Sequence, residues 1–539
     1  MSALRPFNVM SVILLGVTLL SCQQKPSPDA VKAFESIIPN PVSAQMDGGV
    51  FILEPESTIS VDPGHNEAKT VAAMLAQKMR SATGFKINEE EGNIDAAIVL
   101  AIVSDASLGK EGYELKVTPE QITISANQPA GLFFGTQTLR QLFSDKIENS
   151  IVQQGPWEVA TGVIKDHPSF EWRGSMLDVA RHFFGVDDVK KYIDYISLYK
   201  MNILHLHLSD DQGWRIEIKS WPNLAQHGGS TQVGGGKGGY FTQDQYKDIV
   251  AYAAARYVTV IPEIDLPGHI NSALASYGEL NGGTVVPKEG RYVDTSTQGI
   301  LGEKSKPTEL YTGIEVGWST LRVEKKESFK FVSDVLGELA AITPGPYLHI
   351  GGDEAHVTAK PDYINFINRF KDIVKGYNKI MVGWEEIAQG EIDSSAVAQH
   401  WANEKYARMA FDKGAKIVMS PSKKVYLDMK YDSTTKLGLN WANYIEADTA
   451  YNWEPATRLG DVDPHQILGV EAPLWSETIV TLDDIEFLLF PRITAVAEIG
   501  WTPSAGRSWD SYKVRAGRHS KRWKAMGIDF YASPRIPWE

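Results

Sequence analysis

From about residue 161 to the C-terminus, short apolar strands alternate with helical segments, and this alternation restricts the possible folds more than any other feature of the chain. The candidate strands are Gly174–Val179, Ile203–Leu208, Val258–Ile264, Tyr347–Ile350, Ile380–Gly383, Ala396–His400, Lys416–Met419 and Gly469–Leu474. Eight strands separated by helices predict a (β/α)8 barrel over 161–539. One helix is especially legible: Val189, Tyr192, Ile193, Ile196 and Tyr199 form one apolar face, with Asp187 or Asp188 expected as its cap. A chain of 539 residues is long for a single core, so a second domain is expected. Residues 37–160 supply it as a small α+β unit. Asn66 to Thr83 carries Val71, Met74, Leu75 and Met79 at helical spacing before Gly84, Ala96 to Val103 reads as a buried strand, and Ala130 to Phe143 as a helix. Tyr113 to Val117 and Gln121 to Ser125 read as a hairpin. The predicted class is therefore α/β, a C-terminal barrel preceded by a small α+β domain.

In such a barrel, reactive groups gather at the C-terminal strand ends. Here the strands run into Ala180-Arg181-His182, Ser209-Asp210-Asp211, Asp265 with Gly268-His269, Gly351-Gly352-Asp353-Glu354, Trp384-Glu385, Trp401 and Trp475-Ser476-Glu477. Nearly every strand ends in a charge or a tryptophan. An acidic pocket with indole walls suits a sugar, whose hydroxyls need polar partners and whose C–H faces need flat apolar ones.

Asp353 and Glu354 are the sharpest feature. Gly351 and Gly352 allow the backbone to turn so that both carboxyls face the barrel mouth. Glycosidases usually place two carboxylates on opposite sides of the scissile bond, roughly 5 Å apart when retaining. Neighbouring residues on one strand end cannot easily straddle a sugar in that way. A nucleophile supplied by the substrate, a 2-acetamido oxygen beside the anomeric carbon, resolves the difficulty. Acidic pairs also occur as caps at helix starts, so the pair alone does not decide between chemistry and structure.

The N-terminus reads as a targeting segment over residues 1–22. Arg5 precedes an apolar run from Val12 to Leu20, too short to span a bilayer comfortably, and Leu19-Leu20-Ser21-Cys22 closes it. This resembles a bacterial lipoprotein signal cut before an acylated Cys22. The protein would then cross the inner membrane and stay anchored to a bacterial membrane by lipid alone. Cys22 is the only cysteine, so no disulfide can form within the chain. Residues 23–36 read as a polar tether. A net charge of -14 speaks against a nucleic-acid partner.

Four stretches match a known family. They are Met176–Phe183, His205–Arg215, Pro262–His269 and His349–Glu354, and together they resemble glycoside hydrolase family 20, the β-N-acetylhexosaminidases, especially secreted bacterial members. The first unit is similar to the small domain that precedes the barrel in that family. The resemblance implies an exo-acting, retaining hydrolase of terminal N-acetylglucosamine or N-acetylgalactosamine, working without a cofactor. It implies Glu354 as general acid/base, with a pKa raised by neighbouring Asp353. It implies Asp353 as the residue steadying the acetamido N–H, and Tyr426 as the hydroxyl aiming the acetamido oxygen. Arg181 and Glu477 would hold sugar hydroxyls, and Asp428 the far hydroxyl. Trp384, Trp401 and Trp475 would box the acetamido group, Trp441 would form a further wall, and Asp210 and His269 would orient Glu354. Gly290–Pro307 is longer than the family pattern suggests and is expected near the mouth.

Two other readings compete. His205-x-His207 on one strand could begin a metal site in a metal-dependent hydrolase, but further histidine ligands at the strand ends are scarce and hydrogen-bonded packing is favoured. A non-catalytic glycan binder on the same pocket would have no need for both Asp353 and Glu354. Asp178 and Glu263 read as buried partners of Arg or His, and Trp172, Trp221, Trp453 and Trp501 as packing.

Overall fold

The computed structural model describes residues 24–288, 301–460 and 462–539. The expected signal segment with Cys22 lies outside the described residues, as does the 290–300 portion of the Gly290–Pro307 loop.

The first unit is a seven-stranded sheet. Its strands are β1 (Ser43–Ile52), β2 (Thr58–Val61), β3 (Asn88–Glu91), β4 (Ile98–Ile102), β5 (Tyr113–Val117), β6 (Ile122–Ala126) and β7 (Glu158–Asp166), in spatial order β1-β7-β5-β6-β4-β2-β3. In β5 and β6 alternate residues are fully buried, among them Leu115, Ile122 and Ile124, and they pack with helices α2 (Asn66–Thr83) and α3 (Pro129–Leu142) in one core. Helix α2 stops at Gly84, which takes the left-handed conformation (φ 72°) that a side chain would resist. Two sequence expectations shift here. The tether over 23–36 is shorter, because Pro28–Phe34 forms a helix, α1, that buries Ala30 and Phe34 in the small-domain core. The small sheet also runs past residue 160, since β7 continues to Asp166 and pairs with β1 and β5.

The barrel is closed by eight parallel strands: β8 (Trp172–Asp178), β9 (Ile203–His207), β10 (Thr259–Glu263), β11 (Tyr347–His349), β12 (Ile380–Trp384), β13 (Ala396–His400), β14 (Lys416–Met419) and β15 (Ile467–Leu474), which returns to β8. Each lies on a strand expected from the apolar runs. Helix α4 (Val186–Leu198) buries the apolar face read from its sequence, but its N-cap is Gly185. Asp188 sits in the first turn and accepts from the Gly185 N–H at 3.0 Å, so it caps by reaching back.

The barrel interior is layered. At the bottom Trp172, Ile203, Ile261, Val382, Val397 and Val418 form a separate apolar plug. Above it the filling turns polar. The parallel register sets Asp178, His207, Glu263 and His349 side by side on β8, β9, β10 and β11, at the level where the strands end. Buried charge at that depth requires partners. Glu263 has them: both histidines of β9, His349 and the Trp384 indole.

The two units are fixed to each other by ion pairs that cross the junction. Buried Lys200 meets Asp166 at 2.8 Å and the Tyr113 hydroxyl at 2.8 Å. Arg522 meets Glu148 at 2.8 Å, and Arg173 meets Glu111 at 2.9 Å.

Candidate active site

The residues singled out at the strand ends converge on the C-terminal mouth of the barrel. Asp353 and Glu354 follow β11 through Gly351 (φ 67°) and Gly352 (φ 102°), both in backbone space that favours glycine. Gly351 is fixed a second way: a Cβ there would lie 1.8 Å from the Asp265 carboxyl oxygen. That same oxygen accepts from the Gly352 N–H at 2.9 Å. Glu354 itself has φ 43°, an unusual conformation for a side-chain-bearing residue and one held by this turn.

Both carboxyls approach one imidazole. His269 Nε2 lies 3.5 Å from a Glu354 oxygen and 3.8 Å from an Asp353 oxygen. Its Nδ1 lies 3.2 Å from Asp210, whose other oxygen meets Arg181 at 2.8 Å and His207 at 2.9 Å. Burial opposes charge on His269, yet the carboxylates of Asp210 and Asp353 hold its pKa well above the usual value.

This arrangement corrects the expectation for Glu354. Burial would raise its pKa, but the hydrogen bond and positive charge of His269, with His356 and Arg181 nearby, bring it below the ordinary glutamate value. The proton affinity sits elsewhere in the cluster. Burial raises the pKa of Asp353, and Glu354's charge adds to it against the opposing pull of His269 and Asp265. Burial and the charge of Asp353 push Asp265 well above the carboxylate range, so Asp265 joins Asp353 as a group of raised proton affinity. Asp265 stands in the stretch Pro262–His269, but its sequence carries no sign of that role, which depends on a turn from another strand.

The aromatic residues line the same space. Trp384 and Trp475 lie 5.8 Å apart, Tyr426 is 6.3 Å from Trp475, and Trp401 stacks on Tyr426 at 6.4 Å and 17°. Trp384 and Tyr426 are buried, whereas Trp441 is 56% exposed and meets Tyr426 edge-on at 5.9 Å, which places it at the rim. Arg181 lies over the Trp475 ring at 4.7 Å. Asp428 is buried, and among the described residues no side-chain donor reaches it. Burial and the charge of Glu477 push its carboxyl well above the usual range. Glu477 is half-buried, with its pKa raised by burial against the pull of Arg181. A buried acid without a protein donor, beside a second acid and an arginine, is equipped to take ligand hydroxyls.

One further acid was not anticipated. Glu386 accepts from the Trp401 indole at 3.2 Å and is held well above the carboxylate range by burial and by Glu385 and Asp353. Glu385, in contrast, is structural: it accepts from the N–H groups of Trp401 and Ala402 at 3.0 Å. The histidines considered for a metal are engaged in hydrogen bonds. His205 lies between Glu263 (3.0 Å) and Glu471 (2.8 Å), and His207 between Glu263 and Asp210. His400 pairs with Glu385.

Residues 311–318 pack against the turn that carries Asp353 and Glu354. A Cβ on Gly317 would lie 2.5 Å from His356, and Gln212 donates to the Gly313 carbonyl at 2.9 Å. At the described end of the long loop Asn281 donates to the Lys306 carbonyl, and Lys304 pairs with Glu324.

Two family descriptions match the chain: "Glycosyl hydrolase family 20, catalytic domain" over residues 170–504, and "Glycosyl hydrolase family 20, domain 2" over 35–167. A β-N-acetylhexosaminidase from Cellulomonas fimi is 38% identical over 509 residues, covering 93% of this chain and 97% of its own. A mutant Streptomyces plicatus β-hexosaminidase solved with its product GlcNAc is 46% identical, with a TM-score of 0.88 over 94% of this chain and 98% of that one. The Vibrio harveyi exo β-N-acetylglucosaminidase solved with N-acetylglucosamine is 28% identical, with a TM-score of 0.78 over 93% and 78%.

Proposed function

The chain belongs to glycosyl hydrolase family 20 and is a β-N-acetylhexosaminidase; from that premise we propose how its residues divide the work. The observation that carries the reading is the convergence of two sequence neighbours, Asp353 and Glu354, on one nitrogen of His269. They stand on the same side of the mouth, so neither faces the other across a scissile bond as nucleophile and acid would. The nucleophile is then the substrate's own 2-acetamido oxygen.

In the first step that oxygen attacks the anomeric carbon, the bond to the leaving oxygen breaks, and Glu354 passes its proton to the leaving oxygen. Asp353 accepts from the acetamido N–H and balances the positive charge of the oxazolinium ring, while the Tyr426 hydroxyl aims the acetamido oxygen. Trp384, Trp401 and Trp475 enclose the acetamido group. Asp428, Glu477 and Arg181 bind the hydroxyls of the terminal sugar. In the second step Glu354, now a carboxylate, takes a proton from water as it adds at the anomeric carbon and reopens the ring. Two inversions give retention. Turnover of an aryl N-acetylglucosaminide beside the matching aryl glucoside tests the reading: hydrolysis of the first alone is expected, and equal rates would refute acetamide participation.

We also propose that the protein is exported and anchored to a bacterial membrane through lipid on Cys22. The support is the Leu19-Leu20-Ser21-Cys22 sequence after an apolar run. In bacteria expressing the full chain, labelled fatty acid is expected to enter the wild type and not Cys22→Ala. Equal labelling of the two would exclude Cys22 as the site.

A further inference from the structure

Behind the acid/base a line of facing carboxyls and imidazoles runs through the barrel core. Starting at Glu354, His269 faces it at 3.5 Å, and Asp210 lies 3.2 Å beyond. The second oxygen of Asp210 is 2.9 Å from His207 Nε2, and His207 Nδ1 lies 2.5 Å from Glu263. That Glu263 oxygen is 3.0 Å from His205 Nε2, and His205 Nδ1 is 2.8 Å from Glu471. Carboxyl and imidazole alternate from β15 to the barrel mouth, and every member from Glu471 to His269 is buried.

The alternation fixes protonation states. An ionised carboxylate only accepts hydrogen bonds, so an imidazole between two of them carries a proton on both nitrogens. His207 is such a ring, and so is His205. Burial opposes charge on both, but the facing carboxylates outweigh it and bring their pKa values to about 10 and about 9. His207 therefore places a buried positive charge directly behind Asp210.

We propose that His207, held by Glu263, is a positioning residue for the reaction, whose buried positive charge limits how strongly Asp210 retains the proton on His269 and so sets the pH at which the His269–Glu354 pair loses the proton used on the leaving group. The proposal rests on Glu354 acting as the general acid. His207 is faced by Glu263 from β10, Asp210 from the turn after β9, Asp178 from β8, and the edge of Trp475 at 4.9 Å. Asp210 is further faced by Arg181 and Asp211, and Glu354 by His269, Asp353, His356 and Arg181. His207 is the cation that links the core to this group without itself reaching the mouth. Low local dielectric lets its charge act along the line.

The test is the pH profile of kcat/KM for an aryl N-acetylglucosaminide, measured on full chain that already discriminates against the glucoside. Loss of that discrimination in the wild type would refute the functional reading and not this one. His207→Gln removes the positive charge, so the alkaline limb is expected to move up by about half a pH unit or more, about threefold in proton affinity. Removing both charges in Glu263→Gln/His207→Gln is expected to bring the limb back toward the wild type. An unmoved limb with a uniform loss of rate, or a shift to lower pH, would overturn the proposal. If His207→Gln does not fold, 15N-histidine NMR of the wild type with His207 assigned decides: a His207 imidazolium persisting through pH 8 supports it, and its loss below pH 8 overturns it.

Discussion

Glu354→Gln is expected to lower kcat by about 10³ to 10⁴ on an N-acetylglucosaminide whose leaving group is an ordinary sugar hydroxyl, at the upper end of what general acid catalysis contributes. The same variant should lose far less on a nitrophenyl leaving group, which departs without a proton. The geometry explains the asymmetry. The Glu354 side chain is the more open of the acidic pair, with 26% exposure against 10% for Asp353, and it faces the mouth beside His269. It combines that openness with a buried partner, His269, able to return a proton. Glutamine keeps the shape and most of the packing and removes the ionisable group, both the transferable proton and the carboxylate charge. Comparing kcat for the two leaving groups separates the roles: an equal loss on both would mean that Glu354 binds or shapes the site and does not act as the acid. The depressed pKa of Glu354 in the free enzyme adds a condition. Its proton must be supplied when the sugar displaces solvent and weakens the charge on the His269 side, because a desolvated carboxylate regains proton affinity.

Asp353→Asn is expected to cost about 10² to 10³ in kcat, the range seen when one preorganised electrostatic contact to a transition state is removed. It should also narrow the preference for the N-acetyl sugar over the plain glucoside, because the residue acts on the acetamide. Asp353 is buried near Asp265, whose carboxyl is pushed well above the ordinary aspartate value by burial and by the Asp353 charge. A neutral Asp265 can donate to Asp353, leaving the Asp353 charge to face the acetamido nitrogen. Asparagine removes that charge and relieves the repulsion that keeps Asp265 protonated. The rates of Asp353→Asn on both substrates check this. A near-wild-type rate with the preference intact would mean that the acetamide is steadied by another group, such as Glu386 beside Trp401.

The barrel was legible because its signals are local. Each strand is a short apolar run, and most run into a functional residue within a few positions; Tyr426, well beyond Met419, is the exception. The Gly351-Gly352 turn was legible for the same reason, since a positive φ at two successive positions calls for glycine. The errors have local causes too. Pro28–Phe34 reads as tether because about two turns of helix carry too few apolar residues to show a face, and it is helical because the small-domain core accepts Ala30 and Phe34. Asp188 was placed as a cap and lies inside the first turn, because carboxyls at either position can satisfy the same N–H groups.

What the sequence determined alone was the order of strands and helices, the turn that presents Asp353 and Glu354, and the kinds of side chain at the mouth, all of which follow from residues a few positions apart. The tertiary structure decided which acids hold protons. Glu263 meets His205, His207 and His349, and Asp210 meets Arg181 and His269, across sequence separations that no local pattern encodes. Proton affinity in a buried site depends on the sum of charges brought within a few ångströms, and only the closed barrel brings them there.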